Sequence, residues 1–249
     1  MTAGNKDVVA LFEELAANPN NTNDGTDLWP LISAVAITAA GSSEHIIPLF
    51  HAARSRLPNA QSKVTLLQRM KEAFAKTTSI TSQPRMMQTI YALAPLLAEL
   101  GETDPESVTT KYVRSYMDNP FDYKDRGTRH LRAILADDSE EMIAMGERFY
   151  PDVMLQAIVF TQGVFLSEES VLSLVDTFVV HIAALVPMDS PTQLVWNMRA
   201  LLRNGGTLEQ LEFARGLSGE VVRLLGWPLT KTVPTLDISG PKLEADSRP

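Results

Sequence analysis

Apolar side chains recur along most of this chain at intervals of three and four residues, the period that buries one face of an α-helix. The stretch Lys63–Lys76 shows the pattern clearly, with Val64, Leu67, Met70 and Phe74 along one side. Alternating apolar runs flanked by hairpin turns, which are typical of half-buried strands, do not occur. The sequence therefore predicts an all-α protein.

Residues that start and stop helices agree with this pattern. Prolines fall within the first turn of four predicted helices, where a missing N–H costs nothing. Ser190 and Thr207 each begin an S/T-x-x-Q sequence, which predicts a capping box, and Asn204-Gly205-Gly206 predicts a left-handed stop. In chain order, the predicted helices are Asp7–Ala17, Leu28–Ala40, Ser43–Leu57, Lys63–Lys76, Gln83–Leu100, Pro105–Met117, Gly127–Leu135, Ser139–Arg148, Pro151–Thr161, Glu168–Leu185, Pro191–Arg203 and Leu208–Leu225.

Two segments without periodicity set the predicted domain organisation. Asn18–Asp27 consists of helix breakers, and Pro228–Pro249 is a tail rich in proline and charge. We therefore expect an N-terminal helix and polar loop in residues 1–27, one helical domain in residues 28–227 and a tail in residues 228–249. The turn-rich connector Pro105–Asp125 divides the helical domain into two halves, which we expect to pack as one multi-helix bundle.

Composition narrows the possible functions. The 249 residues include 22 Lys and Arg against 30 Asp and Glu, a net charge of −8, so phosphate backbones and anionic lipid surfaces are poor partners. The chain has no cysteine, which excludes disulfides, thiolate nucleophiles, zinc–thiolate sites and iron–sulfur clusters. No apolar run approaches the 18 residues of a membrane span, and no signal peptide is recognisable at Met1–Asp7. These features predict an intracellular protein, in the cytoplasm, with neither nucleic-acid nor membrane partners.

The second half of the chain carries a family pattern. Phe149-Tyr150-Pro151-Asp152 and Thr161-Gln162-Gly163 precede a longer match from Val195 to Thr207, Val-Trp-Asn-Met-Arg-Ala-Leu-Leu-Arg-Asn-Gly-Gly-Thr. The pattern resembles the carboxymuconolactone decarboxylase and alkylhydroperoxidase D-like superfamily, especially its fungal two-part members without redox cysteines. The resemblance covers residues 28–227 and implies an all-helical bundle that assembles into homo-oligomers. It also implies a possible peroxisomal location, although Ser247-Arg248-Pro249 is not an SKL-type address.

The departures from that family restrict the chemistry. The Cys-x-x-Cys-x-x-x-His pattern of the peroxidase branch falls here on Ser190, Gln193 and Asn197. A thiol peroxidase mechanism is therefore excluded. Asn197 also stands where the decarboxylase branch has its acid/base histidine, and an amide exchanges no proton near neutral pH.

Candidate site residues remain on the last long helices. Gln193, Asn197 and Asn204 share one face of the Pro191–Arg203 helix, where their amides can hydrogen-bond a carbonyl or carboxylate. His181, on the preceding helix, is the candidate general acid/base, so His181 and Asn197 are the predicted catalytic residues. The predicted substrate-binding residues are Gln193, Trp196, Arg199, Asn204 and Asp176, where Arg199 is suited to clamp an anion and Trp196 to stack on a ring.

Several of these residues also have purely structural interpretations. A role as a core or interface histidine explains His181 about as well as a catalytic role does. Ser190 with Gln193 is explained as an ordinary helix cap. His130, between Arg129 and Arg132, is expected on a solvated face. His45 and His51 are six apart and make a weak metal pair. Neither metal-ligand spacing nor a nucleotide-binding motif is found, so we expect no metal and no cofactor.

Two functions are consistent with these features. The first is a cofactor-free lyase, isomerase or cyclase that acts on a small oxygenated or carboxylated organic molecule, as in secondary metabolism. The second is a catalytically silent oligomeric scaffold or small-molecule-binding protein. If the site lies elsewhere, the first half of the chain offers Trp29, His45 and His51.

Overall fold

The chain folds as a bundle of helices in the computed structural model, which describes residues 3–22, 24–110, 113–114, 120–136 and 138–236. No strand occurs among these residues, so the all-α prediction is confirmed. The α-helices are α1 Ala3–Ala17, α2 Trp29–Ala40, α3 Ile46–Arg54, α4 Ala60–Thr81, α5 Gln83–Thr103, α6 Pro120–Leu135, α7 Asp138–Phe149, α8 Pro151–Leu155, α9 Leu174–Leu185, α10 Pro191–Arg203 and α11 Leu208–Leu224. Ser43–His45 and Pro105–Ser107 are 3₁₀ turns, and Gln156–Leu166 is a π-helix.

Two helices form the centre of the bundle. Every residue of α2 is buried, and α9 is buried from Thr177 to Leu185, because both segments are apolar around most of their circumference. Helix α2 packs against α4, α9 and α11, while α9 also packs against α4, α10 and α11. Helices from both halves of the chain therefore share one core. Within the described helices, none combines the length and hydrophobicity needed to cross a bilayer.

Several predicted helices have other bounds in the structure: α6 begins at Pro120 rather than Gly127, and α4 spans Ala60–Thr81 rather than Lys63–Lys76. The helix predicted over Ser43–Leu57 is a 3₁₀ turn followed by α3.

Three larger differences concern the remaining predicted helices. In the described part of Pro105–Met117, only one 3₁₀ turn forms, because Arg54 binds the Asp104 carboxylate at 3.1 Å and the Ser107 hydroxyl at 2.6 Å. The helix predicted from Glu168 begins instead at Leu174, where the Ser173 hydroxyl accepts the Asp176 N–H at 3.1 Å.

The third difference is the π-helix, which replaces most of the α-helix predicted over Pro151–Thr161. It packs along α6, and at two glycines no side chain separates the two backbones. A Cβ added to Gly127 would lie 1.9 Å from the Ile158 carbonyl oxygen, and one added to Gly163 would lie 2.0 Å from that of Tyr123. Long π-helices are rare, and this one is bounded by a contact that only glycine permits.

The two predicted capping boxes have different outcomes. At α11 the Thr207 hydroxyl accepts the Gln210 N–H at 3.1 Å and the Gln210 side chain accepts the Thr207 N–H at 2.9 Å, which confirms the box. At α10 the prediction is wrong, because the Ser190 hydroxyl donates instead to the Met188 carbonyl. Of the predicted C-terminal tail, residues 228–236 are irregular, and residues 237–249 lie outside the described part of the chain.

Candidate functional site

Polar side chains meet in the core where α4, α6, α9, α10 and the π-helix converge. We call this group the buried polar cluster. Most of its members are below 9% exposed in a region otherwise filled by apolar residues. Buried polar groups require partners, so their contacts indicate what each one does. The members are Glu72, Lys76, His130, Gln162, Thr177, His181 and Asn197.

Lys76 is fully buried at the centre of the cluster. Its ammonium donates to the carbonyl oxygens of Leu166, at 3.0 Å, and Glu168, and to the Thr177 hydroxyl at 2.8 Å. The Glu72 carboxylate lies 4.0 Å away on the same helix. Burial lowers the pKa of Lys76 to about 8, while the carboxylate opposes that shift. Two of the three N–H bonds of this ammonium therefore hold carbonyls at the end of the π-helix, and the third joins Lys76 to α9.

Two arginines complete that arrangement. Arg114 donates to the Val164 carbonyl at 3.0 Å and the Phe165 carbonyl at 2.8 Å, and its other N–H groups form a bidentate pair with Glu72. Arg126 donates to the Ser167 carbonyl at 3.1 Å. The last carbonyls of a helix lack intrahelical partners and carry partial negative charge. Three cations from distant parts of the chain thus neutralise the C-terminal end of the π-helix.

His181 lies on α9 with 3% of its surface exposed, in contact with Asn197, its predicted partner. Nδ1 is 3.2 Å from the Asn197 amide oxygen and Nε2 is 3.3 Å from the Lys76 carbonyl oxygen. Burial, with the neighbouring charges of His130 and Lys76, lowers the pKa of His181 to about 4. The ring is therefore neutral at pH 7 and has one N–H for two facing acceptors.

His130 was expected on a solvated face, and that expectation is wrong. Its side chain is 5% exposed and its ring stacks on Phe178, with centroids 6.2 Å apart. Nδ1 lies 2.6 Å from the Gln162 amide oxygen, and burial lowers the pKa of His130 to about 4. Because an amide oxygen accepts, Nδ1 carries the proton, and Nε2 presents a buried lone pair that has no partner within the described residues.

The predicted amide face of α10 mostly serves the fold. The Asn197 NH₂ donates to the Gln193 carbonyl oxygen at 2.9 Å, while the Gln193 side chain is exposed. The Asn204 NH₂ donates to Ala200 at 2.8 Å and to Ala133, on α6, at 3.2 Å. These contacts lock Asn197 and Asn204 to nearby backbone rather than leaving both amides open to a ligand.

The other predicted binding residues lie on two helices, Asp176 on α9 and Trp196 with Arg199 on α10. Asp176 accepts from Arg69 of α4 at 3.4 Å, near the start of α9. Trp196 and Arg199 are half-buried on α10, and the buried Trp196 Nε1 has no partner in the described part of the chain. The structure therefore brings His181 and Asn197 together and places Asp176 and Asn204 elsewhere.

A cavity of about 310 Å³ lies between the second half of α4 and the π-helix. It contains aromatic walls, hydroxyls and side-chain amides, a combination typical of sites that bind small polar organic molecules. Lys76 belongs both to this cavity and to the buried polar cluster. Its lining includes none of the residues predicted from the sequence as catalytic or substrate-binding; it consists of Ala75, Lys76, Thr78, Ser79, Gln83, Gln156, Phe160, Thr161 and Phe165.

Signals for the missed residues are present in the sequence. Gly127, His130 and Ile134 follow a helical period and share the buried face of α6, whereas Arg129 and Arg132 point to other sides. Glu72 and Lys76 are four residues apart on one helix face, the spacing of an ion pair.

The alternative residues of the first half of the chain differ in their exposure. His45 is buried and His51 exposed, and Trp29, which is 3% exposed, belongs to the core. Within the described ranges, no three His, Asp or Glu side chains are grouped so as to hold a metal ion.

Comparison with known proteins gives two distant relatives that carry one name. The chain is 23% identical to Peroxisomal protein 2 of Saccharomyces cerevisiae, in an alignment that covers 77% of this chain and 86% of the relative. It is 24% identical to Peroxisomal protein 2 of Schizosaccharomyces pombe over 218 residues, covering 87% of this chain and 95% of the relative. No protein-family model and no solved structure matches the chain.

Proposed function

We propose that the chain binds a small oxygenated or carboxylated organic molecule between α4 and the π-helix and converts it as a cofactor-free lyase, isomerase or cyclase. The observation that carries the proposal is the cavity of about 310 Å³ whose lining combines Phe160 and Phe165 with hydroxyls, amides and Lys76. A volume near 300 Å³ accommodates a small organic molecule rather than a polymer.

Each part of the lining has a binding role in this proposal. Gln83 and Gln156 are suited to hydrogen-bond a carbonyl or carboxylate, and the positive charge of Lys76 favours an anion. Phe160 and Phe165 offer apolar walls. Thr161 receives a hydrogen bond from Gln156 at 3.2 Å, which positions that amide at the cavity.

The acid/base step is assigned to His181 with Asn197. Their contact at 3.2 Å, next to the backbone of Lys76, supports this assignment because it joins the predicted acid/base residue to the helix that forms one cavity wall. A neutral imidazole with a lowered pKa accepts a proton weakly, so the mechanism requires the ligand or a change in position to raise its basicity.

Binding without catalysis is the second candidate function. It is favoured by the occupied donors of Lys76 and by the burial that lowers the pKa of both His130 and His181 to about 4. Under this alternative the same cavity holds a ligand, and the polar cluster supports the fold alone.

Titration calorimetry against a panel of small hydroxy, keto and carboxylic acids tests the shared part of both proposals. Phe160→Ala should weaken binding about tenfold, because a wall contact of roughly 1.4 kcal/mol is lost. Phe213→Ala, a change of another exposed aromatic on α11, should leave binding unchanged. If the two variants weaken binding equally, the ligand does not bind in this cavity. Product analysis of bound compounds then separates an enzyme from a binding protein.

We also propose that the protein resides in peroxisomes, on the basis of the name shared by its two relatives. A fluorescent fusion at the N-terminus of the full chain should coincide with a peroxisomal matrix marker in a yeast cell. A diffuse signal in cells with intact peroxisomes would contradict this location.

A further inference from the structure

The wall that the π-helix gives to the cavity depends on its i→i+5 hydrogen bonding, which we call the π-register. Four of its residues line the cavity: Gln156, Phe160, Thr161 and Phe165. Gln156 and Thr161 are five apart, and the Gln156 amide donates to the Thr161 hydroxyl at 3.2 Å. In an α-helix, side chains five residues apart diverge by about 140°, and the nine residues from Gln156 to Phe165 give about 180°. The wall therefore requires the π-register.

His130, on α6, binds this helix next to the cavity. Its Nδ1–H donates to the amide oxygen of Gln162 at 2.6 Å, and Gln162 directly follows Thr161 of the cavity wall. The carbonyl oxygen of Gln162 accepts the Ser167 N–H at 2.9 Å, a bond between residues five apart. Gln162 is thus bound through its side chain to α6 and through its backbone to the next turn of the π-helix. We call His130 and Gln162 the register pair.

The burial of His130 is not explained by stability alone. Its ring stacks on Phe178 in the core, and the buried Nε2 has no partner within the described ranges. A buried polar nitrogen without a hydrogen bond costs free energy, whereas an apolar side chain would pack against Phe178 without that cost. What the imidazole adds over an apolar side chain is therefore its directed bond to Gln162.

This bond supplies direction where the other contacts between the two helices supply closeness. Gly127 and Gly163 let the backbones of α6 and the π-helix approach, but such packing is not directional. A hydrogen bond weakens steeply when its angle changes, so it favours one rotation of the helix over others. We propose that the register pair positions the ligand site: through Gln162, His130 fixes the π-register that sets the four cavity-lining residues of this helix side by side.

Hydrogen exchange of the full chain without ligand, followed by mass spectrometry, tests the register. His130→Leu removes the donor, so the amides of Gln156–Leu166 should exchange about tenfold faster than in the wild type. His130→Asn offers an amide N–H close to the position of Nδ1 and should restore most of the protection. His45→Leu, which changes another buried histidine away from the π-helix, is the matched control and should leave these amides unchanged.

The other half of the pair gives an independent variant. Gln162→Leu, at a half-buried position, removes the acceptor and should speed exchange as much as His130→Leu does. Because both variants break one bond, the double variant should exchange no faster than either single variant. Circular dichroism checks that each variant is folded, and Gln162→Leu tests the same bond if His130→Leu does not fold.

The consequence for the ligand rests on the proposed function and is measured by calorimetry with para-hydroxybenzoate, which offers the lining a ring, a hydroxyl and a carboxylate. His130→Leu and Gln162→Leu should each weaken its binding about tenfold, while His130→Asn should bind it as the wild type does. The urea midpoint of His130→Leu should stay close to that of the wild type, because the unpartnered Nε2 is removed together with the bond. A purely structural role would lower this midpoint instead.

Unchanged exchange in both leucine variants overturns the proposal, and so does an asparagine variant that exchanges as fast as His130→Leu. If a compound binds the wild type and both leucine variants equally well, the pair does not position the site, and the proposed function stands without it. If exchange changes as expected but no compound of the calorimetric panel binds the wild type, the register pair stands and the proposed ligand site fails.

Discussion

Replacing Lys76 with methionine tests the interpretation of the buried polar cluster as the support of the π-helix. Methionine keeps much of the side-chain length but removes the charge and its three N–H donors. The substitution leaves the carbonyls of Leu166 and Glu168 without their bonds to Lys76, and Glu72 with Arg114 as its remaining ion-pair partner at this site. Breaking a buried ion pair on one side costs about 3–5 kcal/mol, and an unsatisfied buried acceptor about 1–3 kcal/mol. Because Arg114 still neutralises Glu72, we expect a loss of about 3 kcal/mol in the free energy of unfolding.

Urea unfolding followed by far-ultraviolet circular dichroism measures this loss. Lys71→Met is the control, since Lys71 is exposed on the same helix and donates one hydrogen bond, to Thr110 at 2.9 Å. That variant should lose less than about 1 kcal/mol. If Lys76→Met costs no more than Lys71→Met, the three contacts of Lys76 do not hold the structure, and the reasoning is wrong.

The pH dependence of the same difference provides a second check. The pKa of Lys76 is lowered to about 8 from an ordinary 10.5, so between these values the unfolded chain binds more protons than the folded one. The contribution of Lys76 to stability therefore rises as the pH increases from 8 to 10.5. The stability difference between wild type and Lys76→Met should grow over this window, and a constant difference would show that the pKa is not lowered.

Three further predictions concern packing, acid stability and turnover. Gly163→Ala should lower the free energy of unfolding, measured in urea, by about 1–3 kcal/mol, because the new Cβ would overlap the Tyr123 carbonyl. Gly216 has open space around it, so the control Gly216→Ala should leave this free energy unchanged or raise it. The pKa values of His130 and His181 are lowered to about 4, so between pH 6.5 and 4 the unfolded chain binds more protons than the folded chain. The free energy of unfolding should therefore fall as the pH drops through this window. His130→Gln should make that fall shallower in unfolding measured at pH 4.5 and 7, and an unchanged slope would contradict the assigned burial. On a substrate found by product analysis, His181→Ala should lower turnover about a hundredfold while the helical spectrum stays intact. Asn197→Ala should cost about 1–3 kcal/mol of transition-state binding. If both variants keep full activity, the reaction takes place away from these residues.

The helical fold was predictable because apolar period, first-turn prolines and capping residues are local properties of the sequence. Pro191–Arg203 is predicted to the residue, and Thr207 caps α11 as its S/T-x-x-Q sequence indicates. The π-helix was not predictable in this way. Its hydrogen-bond register depends on the backbone contact of Gly127 with residues 158–163 and on cations far away in sequence, and neither leaves a periodic pattern.

The candidate site was predictable in part for a similar reason. His181 and Asn197 were assigned to one region because their helices are adjacent in sequence, and the structure has them in contact. His130 was misjudged from its charged neighbours, although residues one and two positions away lie on other faces of a helix. The cavity joins α4 to a segment about 85 residues later, and such a distant pairing has no local signal.

The cations at the end of the π-helix have a consequence for the order of folding. Lys76 is 90 residues from Leu166, Arg114 is 51 from Phe165 and Arg126 is 41 from Ser167. Contacts between such distant groups can form only after the chain between them has lost most of its loop-closure entropy. We therefore expect the π-helix to form after α4 and α9 have packed, so that during refolding its amides become protected from hydrogen exchange later than those of the central helices.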